Sequence, residues 1–158
     1  MALNIVLLEP EMPANTGNIG RTCVATGSVL HLIEPLGFHL DDRSIKRAGM
    51  DYWDKLDVRR YINYEDFLEK NPGAVIYMAT TKAKKVYTEV SYEEDCYIMF
   101  GKESAGIPEE ILKENKERCV RVPMNLSNSV AIVLYEALRQ QGFKNMEITG
   151  NLHHLTWD

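Results

Sequence analysis

An arginine at position 21, a glutamate at position 103 and a run of amide and hydroxyl side chains from Asn125 to Ser129 are the residues whose types and settings invite chemistry. Arg21 sits in "EPEMPANTGNIGRT" (9–22), where an apolar run meets two prolines and Asn-Thr-Gly opens a helical pattern. Free N–H groups at a helix start attract anions, and an arginine one turn inside adds a fork that matches phosphate. The same residues also suit a well-capped helix with a surface arginine. Their spacing is that of neither the dinucleotide fingerprint nor the nucleotide-triphosphate loop.

Glu103 sits in "YIMFGKESAGIP" (97–108), an apolar run that ends on Gly101, where a ligand can approach the backbone closely. A carboxylate there can accept hydrogen bonds from a ligand amine or ribose, orient a catalytic group, or simply cap a turn. The third stretch, "RVPMNLSNSVAIVLYEALRQ" (121–140), leaves an apolar run through Pro123 and Met124 into "NLSNS" at the mouth of an apolar helix. One Asn or Ser suffices to cap a helix. The surplus of hydrogen-bonding groups beside Leu126 suits a pocket for a partly apolar ligand with polar edges, such as an adenosine.

Elements that place these residues can be read from periodicity. Short apolar runs at 3–8, 29–33, 58–62, 74–79, 97–100 and 120–122 read as strands, several of them continuous enough to be buried on both faces. Helices are expected near 16–26, with Asn15 or Thr16 as the cap, and at 42–48, 64–70, from Pro108, and over 127–141. Strand–helix alternation implies an α/β fold with a mainly parallel sheet flanked by helices. Ligands in such sheets bind outside the carboxyl ends of the strands, which is where all three stretches fall.

Composition sets the remaining bounds. The 158 residues are expected to form a single domain, 1–158. No apolar run approaches the ~18 residues of a membrane span, and the start lacks a basic leader, so a cytoplasmic protein is expected. Cys23, Cys96 and Cys119 are widely spaced in apolar contexts and read as reduced, buried thiols; neither they nor the four histidines form a ligand set, and no metal is expected. The net charge of −5 argues against indiscriminate nucleic-acid binding. Cations nevertheless gather in "RSIKR" (43–47), "VRR" (58–60) and "TKAKK" (81–85), which are either solvated faces or a local basic surface.

Taken together, "NTGNIGRT", "FGKESAGIP" and "VPM…NLSNSVAIVLYEALRQ" resemble, in order, the three motifs of the SPOUT class of S-adenosylmethionine-dependent RNA methyltransferases. "IEPLGFHLDD", "KRAGMDYW" and "TTKA" narrow the resemblance to the TrmL (YibK-like) tRNA (cytidine(34)-2'-O)-methyltransferases, over nearly the whole chain to about Phe143. The resemblance implies a SPOUT fold with a C-terminal deep trefoil knot, against the general rule that chains are unknotted. It also implies a homodimer with active sites at the interface and, as substrate, the anticodon stem-loop of leucine tRNAs. The ribose of nucleotide 34, cytidine or a modified uridine, would receive the methyl, leaving S-adenosylhomocysteine.

By that resemblance Ala79, Gly101, Val122, Met124 and Leu126 hold the cofactor, and Arg21, Glu103 and Asn125 fall at positions assigned to catalysis. Asn15 matches a motif asparagine, and with Arg47 and Lys82 it is a candidate RNA contact. Tyr52 or Trp53 either stacks on a splayed base or packs beneath a loop. Relatives carry several more residues between the Pro-Met pair and "NLSNS", a loop that covers the cofactor and supplies a serine and an arginine. Here Asn125 follows Met124 directly. Two other functions stay open: a non-catalytic RNA- or cofactor-binding homologue, and a 2'-O-methyltransferase acting on another RNA.

Overall fold

The computed structural model describes residues 2–47, 49–122 and 126–158; statements below concern those residues. The chain runs β1 (Asn4–Leu8), α1 (Pro13–Thr26), β2 (Val29–Ile33), α2 (Asp42–Arg47), β3 (Val58–Tyr61), α3 (Tyr64–Lys70), β4 (Ile76–Ala79), β5 (Lys85–Val86), β6 (Tyr97–Phe100), α4 (Glu109–Glu114), β7 (Cys119–Arg121) and α5 (Leu126–Gln140). Short 3-10 turns at Trp53–Lys55 and Lys116–Arg118 precede β3 and β7.

The seven strands form one sheet in the order β3-β2-β1-β6-β4-β7-β5, and every pairing is parallel. Every residue of β1, Asn-Ile-Val-Leu-Leu, is buried, because strands lie on both sides and helices cover both faces. Alternation splits those side chains between two cores. Ile5 and Leu7 pack with Ile19 and Cys23 of α1 and with Val130, Val133, Leu134 and Ala137 of α5. Val6 and Leu8 face the opposite way, toward Phe67 of α3, Leu112 of α4 and Ile107.

This division sets the site. The chain leaves β1 over one face through α1, and leaves β6, its neighbour, over the other through α4. A crevice therefore opens where the two connections diverge, at the carboxyl ends of β1 and β6. Cys23, Cys96 and Cys119 are free and buried, as their apolar settings suggested, and burial pushes the Cys23 and Cys96 thiols up to about 12.

Two differences from the sequence reading have plain causes. Helix α1 opens at Pro13, a turn earlier than Asn15 or Thr16, and its N-cap is Met12 with no side-chain cap of its own. Proline suits the first helical position, since its missing N–H costs nothing there. The strand β5 is only Lys-Val, too short and too polar for periodicity to reveal. None of the described helices is long and apolar enough to cross a membrane.

Candidate functional site

The segments after β1, β4, β6 and β7 converge on a cavity of about 590 Å³. Met12 and Asn15 come from the start of α1, Ala79 to Lys82 from the end of β4, Phe100 to Ile107 from β6 and its loop, and Val122, Leu126 and Ser129 from β7 and α5. Seven residues singled out in the sequence thus meet at one place: Asn15, Ala79, Lys82, Gly101, Glu103, Val122 and Leu126. Met124 and Asn125 lie outside the described residues. No group of three or more His, Cys, Asp or Glu side chains among the described residues could hold a metal ion.

The crevice is built by two carboxylates that form a reciprocal clamp. Glu103 accepts from the Glu11 amide (3.0 Å), the Met12 amide (2.8 Å) and the Asn15 side-chain amide (3.3 Å). Glu11 in turn accepts from the Ser104 amide at 2.9 Å. Ser104, through its hydroxyl and its amide, holds the Glu11 carboxyl below the usual carboxylate range. The start of α1 is therefore capped from 91 residues away by an anion of the chain itself. Of the two readings of 9–22, an anion site or a well-capped helix, the structure has the helix start capped, with Glu103 as the acceptor.

Backbone contacts lock this corner further. The loop after β6 turns back so tightly that a Cβ on Gly101 would lie 2.1 Å from the Gly106 carbonyl carbon and 2.2 Å from the Ile107 nitrogen. On the other side Gly37 donates to the Pro10 carbonyl at 2.9 Å, and a Cβ there would meet the Glu11 Cα at 2.7 Å. "IEPLGF" (33–38) is thus a brace beneath the 9–12 segment. Glu11 was missed in the sequence because its partner stands 93 residues away and no local pattern reports it.

Arg21 does not line this cavity. It is exposed on α1, with its guanidinium carbon 4.7 Å from the centre of the Tyr52 ring. The Tyr52 hydroxyl donates to the Gly17 carbonyl, and Tyr52, Trp53 and Leu56 all close on Gly20. Packing against α1, rather than a free platform for a base, is what Tyr52 and Trp53 do here. Arg47 is an exposed residue at the end of α2, also outside the cavity.

The cavity falls within the ~300–1,000 Å³ typical of small-molecule sites. Phe100, Ile107, Val122 and Leu126 give it apolar walls, while Thr80, Lys82, Lys102 and Ser104 give it a polar rim. An adenosine with a polar tail fits that division. Glu103, with three donors already on its two oxygens, is a holder of the wall rather than a free proton acceptor.

Known proteins share this chain's sequence and fold. The tRNA (cytidine(34)-2'-O)-methyltransferase of Escherichia coli is 48% identical over 149 residues, covering 89% of this chain and 95% of the relative. A solved chain from Bacillus anthracis superposes with a TM-score of 0.88 at 43% identity, covering 94% of this chain and all of that one. An AdoMet-bound rRNA methyltransferase from Sinorhizobium meliloti has a TM-score of 0.74 at 26% identity, covering 87% of this chain and 56% of its own. The SpoU rRNA Methylase model matches residues 2–135, which takes in the clamp, the brace and all but the end of α5, and the chain belongs to that family.

Proposed function

We propose that this chain transfers a methyl group from S-adenosylmethionine to the ribose 2'-hydroxyl of nucleotide 34 in tRNA, cytidine or a modified uridine, with leucine tRNAs as the substrates. The observation that carries the reading is the convergence of Met12 and Asn15, the 79–82 and 100–107 segments, and Val122, Leu126 and Ser129 on one cavity with apolar walls and a polar rim. When bound, the cofactor supplies an electrophilic methyl carbon on a sulfonium. Ala79, Gly101, Val122, Met124 and Leu126 hold it, and Glu103 keeps the start of α1 against the loop that follows β6.

The chain's contribution to rate is placement. The chain would hold a 2'-hydroxyl in line with that methyl as its acceptor, and the hydroxyl proton would pass to solvent water. Such positioning supplies several of the ~7–11 kcal/mol available from proximity and orientation. A guanidinium is a poor proton acceptor in general, so the part of Arg21 is to anchor the neighbouring phosphate and steady the developing alkoxide, with Asn125 orienting the ribose. Arg21 stands outside its own chain's cavity, which supports a site completed across a homodimer. Tyr135, 43% exposed on α5, and Met12, 48% exposed beside the cavity, are the apolar groups such an interface would cover. We take residues 1–158 as one unit, working in the cytoplasm, with its C-terminal part in a deep trefoil knot. The return of α5 against α1, after β7 has been inserted between β4 and β5, supports that topology.

Calorimetric titration with S-adenosylhomocysteine tests the reading, on protein whose intact mass establishes whether Asn125 follows Met124 directly. Micromolar binding at one site per chain is the expected result. Absence of binding contradicts it.

A further inference from the structure

A second depression adjoins the cavity. It has a volume of about 490 Å³ and lies between the segment that follows β4 and the surface of α4 with the 3-10 turn after it. Thr80 and Lys82 line both spaces, so the groove opens out of the cavity. Its rim carries Lys82, Lys84, Lys85, Lys113 and Lys116 against only Glu109 and Glu117. Its floor is apolar, made by Ala83, Leu112 and Cys119.

Five lysines around one groove are unusual on a chain of net charge −5. Lys82 pairs with Glu109 at 3.1 Å and Lys85 with Glu117 at 3.4 Å. Both pairs are solvent-exposed and so cost little to exchange for another anion. Lys84, Lys113 and Lys116 have no ion-pair partner among the described residues. Sequence brings Lys82 to Lys85 together; only the fold adds Lys113 and Lys116, by seating α4 beside the edge strand β5.

We propose that this groove is the track for the RNA strand that adjoins the methylated nucleotide, with phosphates on the lysine rim and one unstacked base on the Ala83–Leu112–Cys119 floor. Phosphate is the anion that matches dispersed lysines, and an apolar floor receives a base face as it would not receive an acidic side chain. The inference rests on the methyl-transfer reading of the cavity and gives it a direction: the strand leaves past Thr80 and Lys82.

The test is binding of a tRNA anticodon stem-loop, measured across a salt series, to wild-type protein and to the triple variant Lys84→Ala, Lys113→Ala, Lys116→Ala. Three lost phosphate contacts lower the slope of log affinity against log salt by about 2, and weaken binding tenfold or more at physiological salt. S-adenosylhomocysteine affinity stays unchanged, which shows that the variant is folded. If the variant loses its fold, acetylation footprinting of wild-type protein decides: the RNA protects Lys113 and Lys116, or the proposal is wrong. A wild-type slope in the folded variant, or tighter competition by an acidic peptide than by RNA, overturns the groove. When wild-type protein still transfers methyl, that failure leaves the assignment of the cavity standing. Wild-type protein that binds no RNA overturns both.

Discussion

Glu103 and Glu11 show how much of the site's shape depends on single side chains. Each accepts a main-chain hydrogen from the other's loop, and Asn15 joins them from the first turn of α1. Glu103→Ala leaves the Glu11 and Met12 amides to water and removes the anion at the start of α1, so unfolding free energy in urea falls by about 1–2 kcal/mol. Glu103→Gln, which keeps an acceptor, costs less. Equal stability of the alanine variant and the wild type contradicts the clamp. The sequence marked Glu103 through its place after Gly101, but its partners lie 88 to 92 positions away and could not be read from it. Asn-Thr-Gly looked like a helix cap for the same reason: the true cap is supplied by a distant loop.

Within the elements, two devices govern stability. The turn after β6 has no room for a side chain at Gly101. Gly101→Ala forces the 101–107 turn open while leaving the sheet intact, and S-adenosylhomocysteine affinity falls at least tenfold, about 1.4 kcal/mol, in calorimetry. An unchanged affinity shows that the turn does not shape the pocket. Across β1, β2, β3 and β6 runs a buried polar chain. The Tyr97 hydroxyl donates to Asn71 Oδ1, Asn71 Nδ2 to the Tyr61 hydroxyl, and that hydroxyl to His31 Nδ1; His31 Nε2 donates to Asn4 Oδ1. The chain balances only with a neutral ring. Burial, and after it the charge of Arg59, pushes His31 down to about 4.

The unfolded chain takes up that proton near its ordinary value of about 6.5. The stability contributed by the neutral ring is therefore complete above pH 6.5 and is lost as pH falls toward 4. Urea unfolding at pH 7.5 and 4.5 should show the wild type losing up to about 2–3 kcal/mol more than His31→Phe, since the carboxylates titrate in both. Equal acid losses contradict a buried neutral histidine. This network was invisible in the sequence, where His31 reads as one polar letter inside the apolar run 29–33. The central strands β1, β2, β4 and β6 were legible because burial on both faces leaves an uninterrupted apolar signature.

For the whole molecule, Arg21 raises the main question. It matches a catalytic position by resemblance, yet it lies outside its own cavity, over Tyr52. The proposed homodimer, with its site shared between two subunits, would account for that. Assayed with S-adenosylmethionine too dilute to fill the Gly101→Ala pocket, co-expressed Arg21→Ala and Gly101→Ala chains should form mixed dimers with one intact site, and the mixture should recover about a quarter of wild-type activity. No recovery beyond either parent contradicts sharing. Periodicity could not reveal the lysine groove, because it depends on surfaces joined only by the fold.

The most direct measurement is transfer of labelled methyl from S-adenosylmethionine to a leucine tRNA anticodon stem-loop bearing cytidine 34, beside the same RNA with a 2'-deoxyribose at that one nucleotide. The account predicts one methyl on the first RNA, located at nucleotide 34 by mass spectrometry, and none on the second. Transfer to neither, or equal transfer to both, would contradict it.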